Sequence, residues 1–293
     1  MIILQTAGMS RISSTACGVL AGVMVAMSVC SVDAQEVVSD TKLVTNQEVH
    51  PAGKTVEFNG RPVDVALNAD GSLVFAKDNR GVVVIDTATM TVKQEIDFGD
   101  DGGSMTGIVV NTAGVVYATD STSTLIELKA DETGKYAISR RIVLPGVKKG
   151  EKAAHSFPCG IALKPDTQIA YVCLSMSNSL AEVDLGTGTV VREMLVGVAP
   201  FAVQLDPTGN IAVVSNWGGR RPGTEGKTAT SAGTDVSVDE RGIANSGTAS
   251  IVDLRTGVAV KELDTGLSAS GVAVAGSLAF VANANSDTVS MLS

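Results

Sequence analysis

The chain has 293 residues, of which 44% are hydrophobic and only 3% aromatic, and its formal net charge is −9. A chain of this composition can bury a continuous core, but that core must be built from Val, Ile, Leu and Ala rather than aromatic rings. The acidic balance argues against a nucleic-acid partner, because binding a polyanion requires clustered Lys and Arg side chains.

The first 34 residues have the organisation of an export signal. Arg11 precedes an apolar run from Ala16 to Cys30, and small residues at 32–34 offer a cleavage site before Gln35. The run is about 15 residues long, whereas a membrane-spanning helix needs about 20. The sequence therefore predicts a signal peptide over 1–34, a periplasmic, extracellular or cell-surface location, and no membrane span in the mature chain.

Residues 35–53 are polar and irregular, and we expect a flexible lead-in there. From residue 54 onward, one pattern of short strands and polar turns recurs five times. The first strands of the five copies are Val65–Leu67, Ile108–Val110, Ile161–Leu163, Val203–Leu205 and Val272–Val274. Their spacing of about 42 residues, lengthened where loops are inserted, is typical of one four-stranded propeller blade per copy.

The second strand of each copy carries one apolar residue, large in four of the five, at a fixed position. These residues are Phe75, Tyr117, Tyr171, Val213 and Phe280. One such residue per copy is what the packing of each sheet on the next requires. Asp86, Asp184 and Asp253 share another repeat position, where turn capping explains them better than catalysis. The sequence predicts an all-β protein, a β-propeller of four-stranded blades over residues 54–293.

The sequence leaves open how this propeller is completed. Residues 54–58 have the pattern of an outermost strand that lacks its own blade, and Ser293 falls within the third strand of the fifth copy. If residues 54–58 supply the missing fourth strand, five blades close into a ring. Otherwise the copies form an open arc of a larger propeller, with exposed edge strands.

Three of the second strands resemble the YVTN-type β-propeller repeat family. They are Tyr171–Leu174, Val213–Asn216 and Phe280–Asn283. Segments 215–222 and 238–244 are further similar to exported propeller proteins in which a phosphoesterase domain of the alkaline-phosphatase superfamily follows the repeats. The resemblance covers roughly residues 54–293 and implies the fold, but it transfers little chemistry. The Asp/His metal set of that superfamily does not occur in this sequence, so phosphoesterase activity is not expected of it.

The fourth copy contains an insertion over residues 217–244, which holds the only Trp of the chain. A loop of this length without obvious structure of its own is usually functional or disordered. Trp and Arg anchor interfaces, and Arg also binds carboxylate and phosphate groups. The candidate ligand- or partner-binding residues are Trp217, Arg220, Arg221, Asp239 and Arg241. The alternative is a loop that folds over its own propeller face, with Trp217 as local core.

Two cysteines remain after removal of the signal, and they flank the first hairpin of the third copy. In an oxidising compartment, a disulfide between Cys159 and Cys173 is one alternative. The other alternative is a pair of small, unpaired, buried residues. We favour the second, because a shift of one residue in register would place the two thiols on opposite faces of the sheet.

No catalytic, metal-binding or cofactor-binding set is recognisable in the sequence. Neither His50 nor His155 has the partners of a Ser-His-Asp triad, and no zinc spacing or phosphate loop occurs. The leading hypothesis is an exported, non-enzymatic propeller that binds a small molecule or a protein. The alternatives are the front part of a two-domain phosphoesterase and a lactonase-type propeller enzyme, which needs acidic residues around a central metal.

Overall fold

The computed structural model describes residues 53–149, 152–224, 226–231 and 233–293. The predicted signal peptide, most of the predicted lead-in and His50 lie outside the described residues. Within them, the regular structure is almost entirely β, and the one helix is a single 3-10 turn at Gly99–Asp101. No helix in this part of the chain is long and apolar enough to cross a membrane.

The first two repeat copies form two four-stranded antiparallel sheets, in each of which the strands follow one another in chain order. The first sheet contains β1 (Asp64–Leu67), β2 (Leu73–Lys77), β3 (Gly81–Asp86) and β4 (Thr91–Asp97). The second contains β5 (Gly103–Val110), β6 (Val116–Asp120), β7 (Thr124–Ala130) and β8 (Tyr136–Val143). A small hairpin of β9 (Val147–Lys149) and β10 (Lys152–Ala154) leads to the third sheet.

The third sheet contains β11 (Pro158–Leu163), β12 (Ile169–Leu174), β13 (Ser179–Asp184) and β14 (Thr189–Leu195). In the fourth, β15 (Val198–Leu205) and β16 (Ile211–Gly219) are separated from their two partners by a hairpin of β17 (Thr228–Ser231) and β18 (Thr234–Ser237). Those partners are β19 (Gly247–Asp253) and β20 (Val258–Thr265). The fifth sheet has three strands, β21 (Ala269–Ala275), β22 (Leu278–Asn283) and β23 (Thr288–Leu292). The predicted all-β architecture of repeated four-stranded sheets, consistent with a β-propeller, is confirmed.

Neighbouring sheets pack on one another through the residues that the repeat pattern singled out. The innermost strands are in contact in series, β1 with β5, β5 with β11, β11 with β15 and β15 with β21. Phe75 is fully buried in a cluster that includes Val116 of the second sheet, and Tyr171 is buried with Val214 of the fourth. The predicted packing role of this column is therefore confirmed at the junctions between sheets.

The repeated aspartates at the ends of third strands cap the turns that follow. A carboxylate oxygen of Asp86 accepts a hydrogen bond from the Thr89 amide at 2.9 Å, and Asp184 accepts one from the Thr187 amide at 3.0 Å. Asp253 pairs with the Arg255 side chain and accepts its amide at 2.9 Å, which lowers the pKa of Asp253 to about 2. The turn-capping prediction is confirmed.

The first and fifth sheets each present an apolar face that no neighbouring sheet covers in the described part of the chain. On the first sheet, Val65 and Leu67 are 64% and 58% exposed, and on the fifth, Val289 and Met291 are 65% and 66% exposed. We call these two surfaces the uncovered faces. They contrast with the apolar clusters that fill the space between every pair of consecutive sheets.

The expected outermost strand at 54–58 is wrong, because these residues are not in a strand and do not pair with β23. Instead, Val56 and Phe58 pack against Ala76 and Val83 on the uncovered face of the first sheet. The two apolar side chains thus find a buried surface there without a strand edge to pair with.

Candidate functional site

The insertion at 217–244 has a structure of its own, which its Thr/Ser/Gly/Ala composition concealed. Strands β17 and β18 form an antiparallel hairpin in which Thr228 pairs with Ser237, and a further bridge joins Val238 to Ala244. Val236 of this hairpin and Val238 just after it are buried. The apolar alternation of 234–238 was the only signal for it, and it is too short to identify a strand by itself.

A cavity of about 630 Å³ lies between the insertion and the adjoining ends of the third, fourth and fifth sheets. We call it the insertion cavity. Its walls include Asn178 from the third sheet, Trp217 from the fourth, Ile243 from the insertion and Ser268 from the start of the fifth. Small-molecule sites commonly have volumes of about 300–1,000 Å³. None of the described residues that line this cavity has a charged side chain.

Trp217 is the aromatic wall of the cavity. It lies on β16, just beyond the last residue that pairs with β19, and its side chain remains 39% exposed. The Phe201 ring packs against it, with the ring centroids 5.2 Å apart and the planes inclined by 37°. This contact orients the indole while leaving part of its surface open to the cavity.

The two arginines after Trp217 do not line the cavity. Arg220 forms an ion pair with Asp264 on the surface, where both side chains are largely exposed, and such a pair contributes at most about 1 kcal/mol. Arg221 donates hydrogen bonds to the carbonyl oxygens of Val196 at 3.0 Å and Asn178 at 2.8 Å. Arg221 therefore ties the start of the insertion to the junction between the third and fourth sheets.

Asp239 and Arg241 build the turn that carries Ile243 into the cavity wall. One carboxylate oxygen of Asp239 accepts the amides of Arg241 at 2.9 Å and Ile243 at 3.0 Å, while the other pairs with the Arg241 guanidinium at 2.8 Å. These bonds lower the pKa of Asp239. Of the five residues singled out from the sequence, the structure thus brings only Trp217 to the cavity, and the others hold the insertion in place.

Sequence reasoning missed two polar residues that line the same cavity as Trp217, Asn178 and Ser246. Asn178 accepts the Ala199 amide at 2.9 Å and donates to the Thr234 hydroxyl at 3.3 Å, so it joins the third sheet to the hairpin. The Ser246 hydroxyl is buried and has no hydrogen-bond partner among the described residues. Both positions lie in connections between second and third strands, which meet at one end of the sheets only after folding.

A buried lysine forms a second polar cluster, away from the insertion. The Lys77 amine donates to the Thr119 hydroxyl at 2.8 Å and to the Thr106 carbonyl at 3.1 Å, between the first and second sheets. Burial lowers the pKa of Lys77 to about 7, against the opposing influence of Cys159, Asp64 and Asp120. A sequence signal did exist, because Lys77 and Thr119 occupy the same repeat position, two residues after Phe75 and Tyr117.

Both cysteines of the third sheet are free and fully buried in this structure. They belong to the apolar cluster between the third and fourth sheets. Burial raises the pKa of the Cys159 thiol to about 11 and that of Cys173 well above its usual value. Among the described residues, no group of three or more His, Cys, Asp and Glu side chains is arranged to hold a metal ion.

Comparison with known structures shows the fold. The chain is similar to a solved structure of Kuenenia stuttgartiensis hydrazine synthase, with a TM-score of 0.54 and 15% identity over 83% of this chain and 69% of that one. It is also similar to a structure of U3-55K, with a TM-score of 0.56 and 11% identity over 80% of this chain and 62% of that one. Both are propeller-type proteins. No protein-family model and no curated protein sequence matches the chain.

Proposed function

We propose that this chain is an exported, non-enzymatic propeller protein that binds a small, uncharged ligand in the insertion cavity. The observation that carries the proposal is the concave site itself, with Trp217 exposed within it and no charged side chain among the described residues of its wall. Sites of this kind, mostly apolar with a few convergent polar groups, are the usual form of small-molecule pockets. Export rests on the predicted signal peptide at 1–34.

The way in which the insertion is anchored supports this proposal. Arg221 fixes one end of the insertion to carbonyl groups of the sheets, and Asp239 fixes the turn that presents Ile243. Val236 of the hairpin and Val238 just after it are buried and line the cavity. A wall held at several points reduces the ordering cost that a ligand must overcome, which favours binding.

Binding to the full chain is tested by titrating a library of small neutral compounds and following the fluorescence of Trp217, the only tryptophan of the chain. We expect a saturable change in emission. Ile243→Asp places a charge on a cavity residue that is 52% exposed, so the variant can fold but should not bind. The matched control is Val191→Asp, because Val191 is 55% exposed on β14 and does not line the cavity. Equal binding by both variants would remove the cavity from the proposal.

We further propose that the five sheets are five blades of a YVTN-type repeat, and that the series is not closed between the first and fifth blades. Support comes from the uncovered faces and from Val56 and Phe58, which occupy the face of the first sheet where a preceding blade would pack. The phosphoesterase and lactonase alternatives remain predictions. Metal analysis of the purified chain tests the lactonase alternative, since that chemistry depends on a divalent ion bound by the propeller itself.

A further inference from the structure

We infer that the insertion cavity takes a neutral saccharide. This inference rests on the proposed function and narrows its ligand to one chemical class. The cavity combines an aromatic surface, Trp217, with hydroxyl and amide groups such as those of Ser246, Ser268 and Asn285, and none of the lining residues that the structure describes is charged. This combination fits a ring that has C–H groups on its face and hydroxyl groups on its edge.

The absence of charge from the described lining residues restricts the ligand first. Burying a charge without an opposite charge or a full set of hydrogen bonds costs several kcal/mol. Burying even an uncharged polar group without a hydrogen bond costs roughly 2–7 kcal/mol. Two charged groups that contact lining residues are already engaged, since Asp235 accepts the Thr230 hydroxyl at 3.0 Å and the Arg221 guanidinium donates to the backbone carbonyls of Asn178 and Val196. An anionic or cationic ligand would therefore lose its hydration without compensation.

The polar groups of the wall favour a polar ligand over a purely apolar one. The Ser246 hydroxyl is buried and unpartnered among the described residues, so a ligand hydroxyl that it can turn toward would supply a missing hydrogen bond, worth about 1–3 kcal/mol, which an apolar ligand cannot supply. The Ser268 hydroxyl and the Asn285 amide belong to residues that line the same cavity. Hydroxyl and amide groups both donate and accept, so they match ligand hydroxyls, which do the same.

Trp217 supplies the apolar contact that a sugar ring needs. The face of an aromatic ring is electronegative, and it attracts the weakly positive C–H groups that a saccharide presents on one side. The contact with Phe201 holds the indole in place before any ligand arrives, and 39% of Trp217 is open. Little conformational freedom is lost when a ring stacks on it.

The inference is tested by applying the full-length chain to an array of neutral and anionic glycans. The strongest neutral glycan is then titrated into the chain while Trp217 fluorescence is followed. We expect binding to neutral glycans only. By calorimetry, Trp217→Ala should weaken binding by at least about tenfold, which corresponds to about 1.4 kcal/mol. Ser246→Ala should weaken binding about three- to tenfold, and Val191→Asp should leave it unchanged because Val191 is exposed on β14 and does not line the cavity.

The outcomes separate this inference from the proposed function. Binding of sulfated or sialylated glycans alone, or no glycan binding at all, would overturn the inference that the ligand is a neutral saccharide. If a neutral compound that is not a sugar binds and Ile243→Asp abolishes that binding, the inference of a saccharide ligand is wrong and the proposed function stands. If neither glycans nor neutral compounds bind, both are wrong. Glycan binding that is unaffected by Trp217→Ala and Ser246→Ala places the glycan elsewhere and also contradicts the inference.

Discussion

The junctions between consecutive sheets and the uncovered faces are built from the same repeat positions but meet different surroundings. Phe75 faces the second sheet and is fully buried, whereas Phe280, its equivalent in the fifth sheet, is half-buried and takes no part in a cluster between sheets. The repeat sequence therefore specifies the strands of each sheet, but burial of the repeated apolar residue, and the stability it contributes, depends on the next sheet in the series. This is the behaviour of a repeat array, in which the energy lies largely in nearest-neighbour interfaces.

The same contrast holds for polar contacts along the outermost strands. Gln94 of the first sheet accepts the Tyr136 amide at 2.9 Å, and Arg140 of the second donates to the Gly186 carbonyl at 3.2 Å. The Arg192 guanidinium of the third donates to the Leu254 carbonyl. Lys261, the equivalent residue of the fourth sheet, borders an apolar groove of about 540 Å³ instead, beside β23 of the three-stranded fifth sheet. Each of the first three junctions thus has a hydrogen bond between an outermost strand and the next sheet, and Lys261 makes no such bond at the fourth junction among the described residues.

The largest effect should come from truncating the same side chain in the two settings. Phe75→Ala should lower the free energy of unfolding by about 3–5 kcal/mol, because it leaves a cavity between two sheets. Phe280→Ala should cost less than about 1.5 kcal/mol, because water already reaches that ring. Urea unfolding of both variants measures the difference. Equal losses would mean that the fifth sheet is covered in solution.

A second pair of variants tests the hydrogen bonds between the outermost strand of one sheet and the next sheet. Arg140 also pairs with Glu127 at 2.7 Å, and Glu127 is only 3% exposed. Arg140→Ala leaves that carboxylate with weaker compensation and should cost about 1–3 kcal/mol. Lys261→Ala removes an exposed amine and should stay within about 0.5 kcal/mol of the wild type. Thermal or urea unfolding distinguishes them, and a comparable loss in Lys261→Ala would show that this lysine has a partner.

The buried Lys77 gives one junction a pH dependence that the uncovered faces lack. Its pKa is lowered to about 7 from 10.5, so above pH 7 the folded chain releases a proton that the unfolded chain retains. Stability of the wild type relative to Lys77→Met should therefore rise from about pH 7 to about pH 9, by up to about 1.4 kcal/mol per pH unit. Above that range the Cys159 thiol, whose pKa is raised to about 11, acts in the opposite direction. A flat difference between the two proteins would show that the amine is solvated.

The smallest effect should come from the uncovered faces themselves. Val289→Ser combined with Met291→Ser replaces two largely exposed side chains and should change the free energy of unfolding by less than about 0.5 kcal/mol. Self-association of the chain, measured by sedimentation, should fall if the exposed apolar side chains of these faces promote association. A large loss of stability that depends on protein concentration would show instead that a second copy covers this face.

The features that follow the repeat period were predictable from the sequence. Phe75, Tyr171 and the turn-capping Asp86 were identified because equivalent residues recur at the same position in other copies of the repeat. The hairpin at 228–237 was missed because Thr, Ser and Ala give little hydrophobic alternation there. The insertion cavity could not be predicted, because it is assembled from three non-periodic connections far apart in the chain.

A crystal structure of the chain soaked with a neutral oligosaccharide tests the central claim most directly, because the insertion cavity and the groove at the fifth sheet then compete within one experiment. We expect a sugar ring stacked on Trp217 with a hydroxyl within hydrogen-bond distance of Ser246 Oγ, and no ordered sugar at β23. Density for the sugar in the groove or on an uncovered face, with the insertion cavity occupied only by solvent, would contradict it.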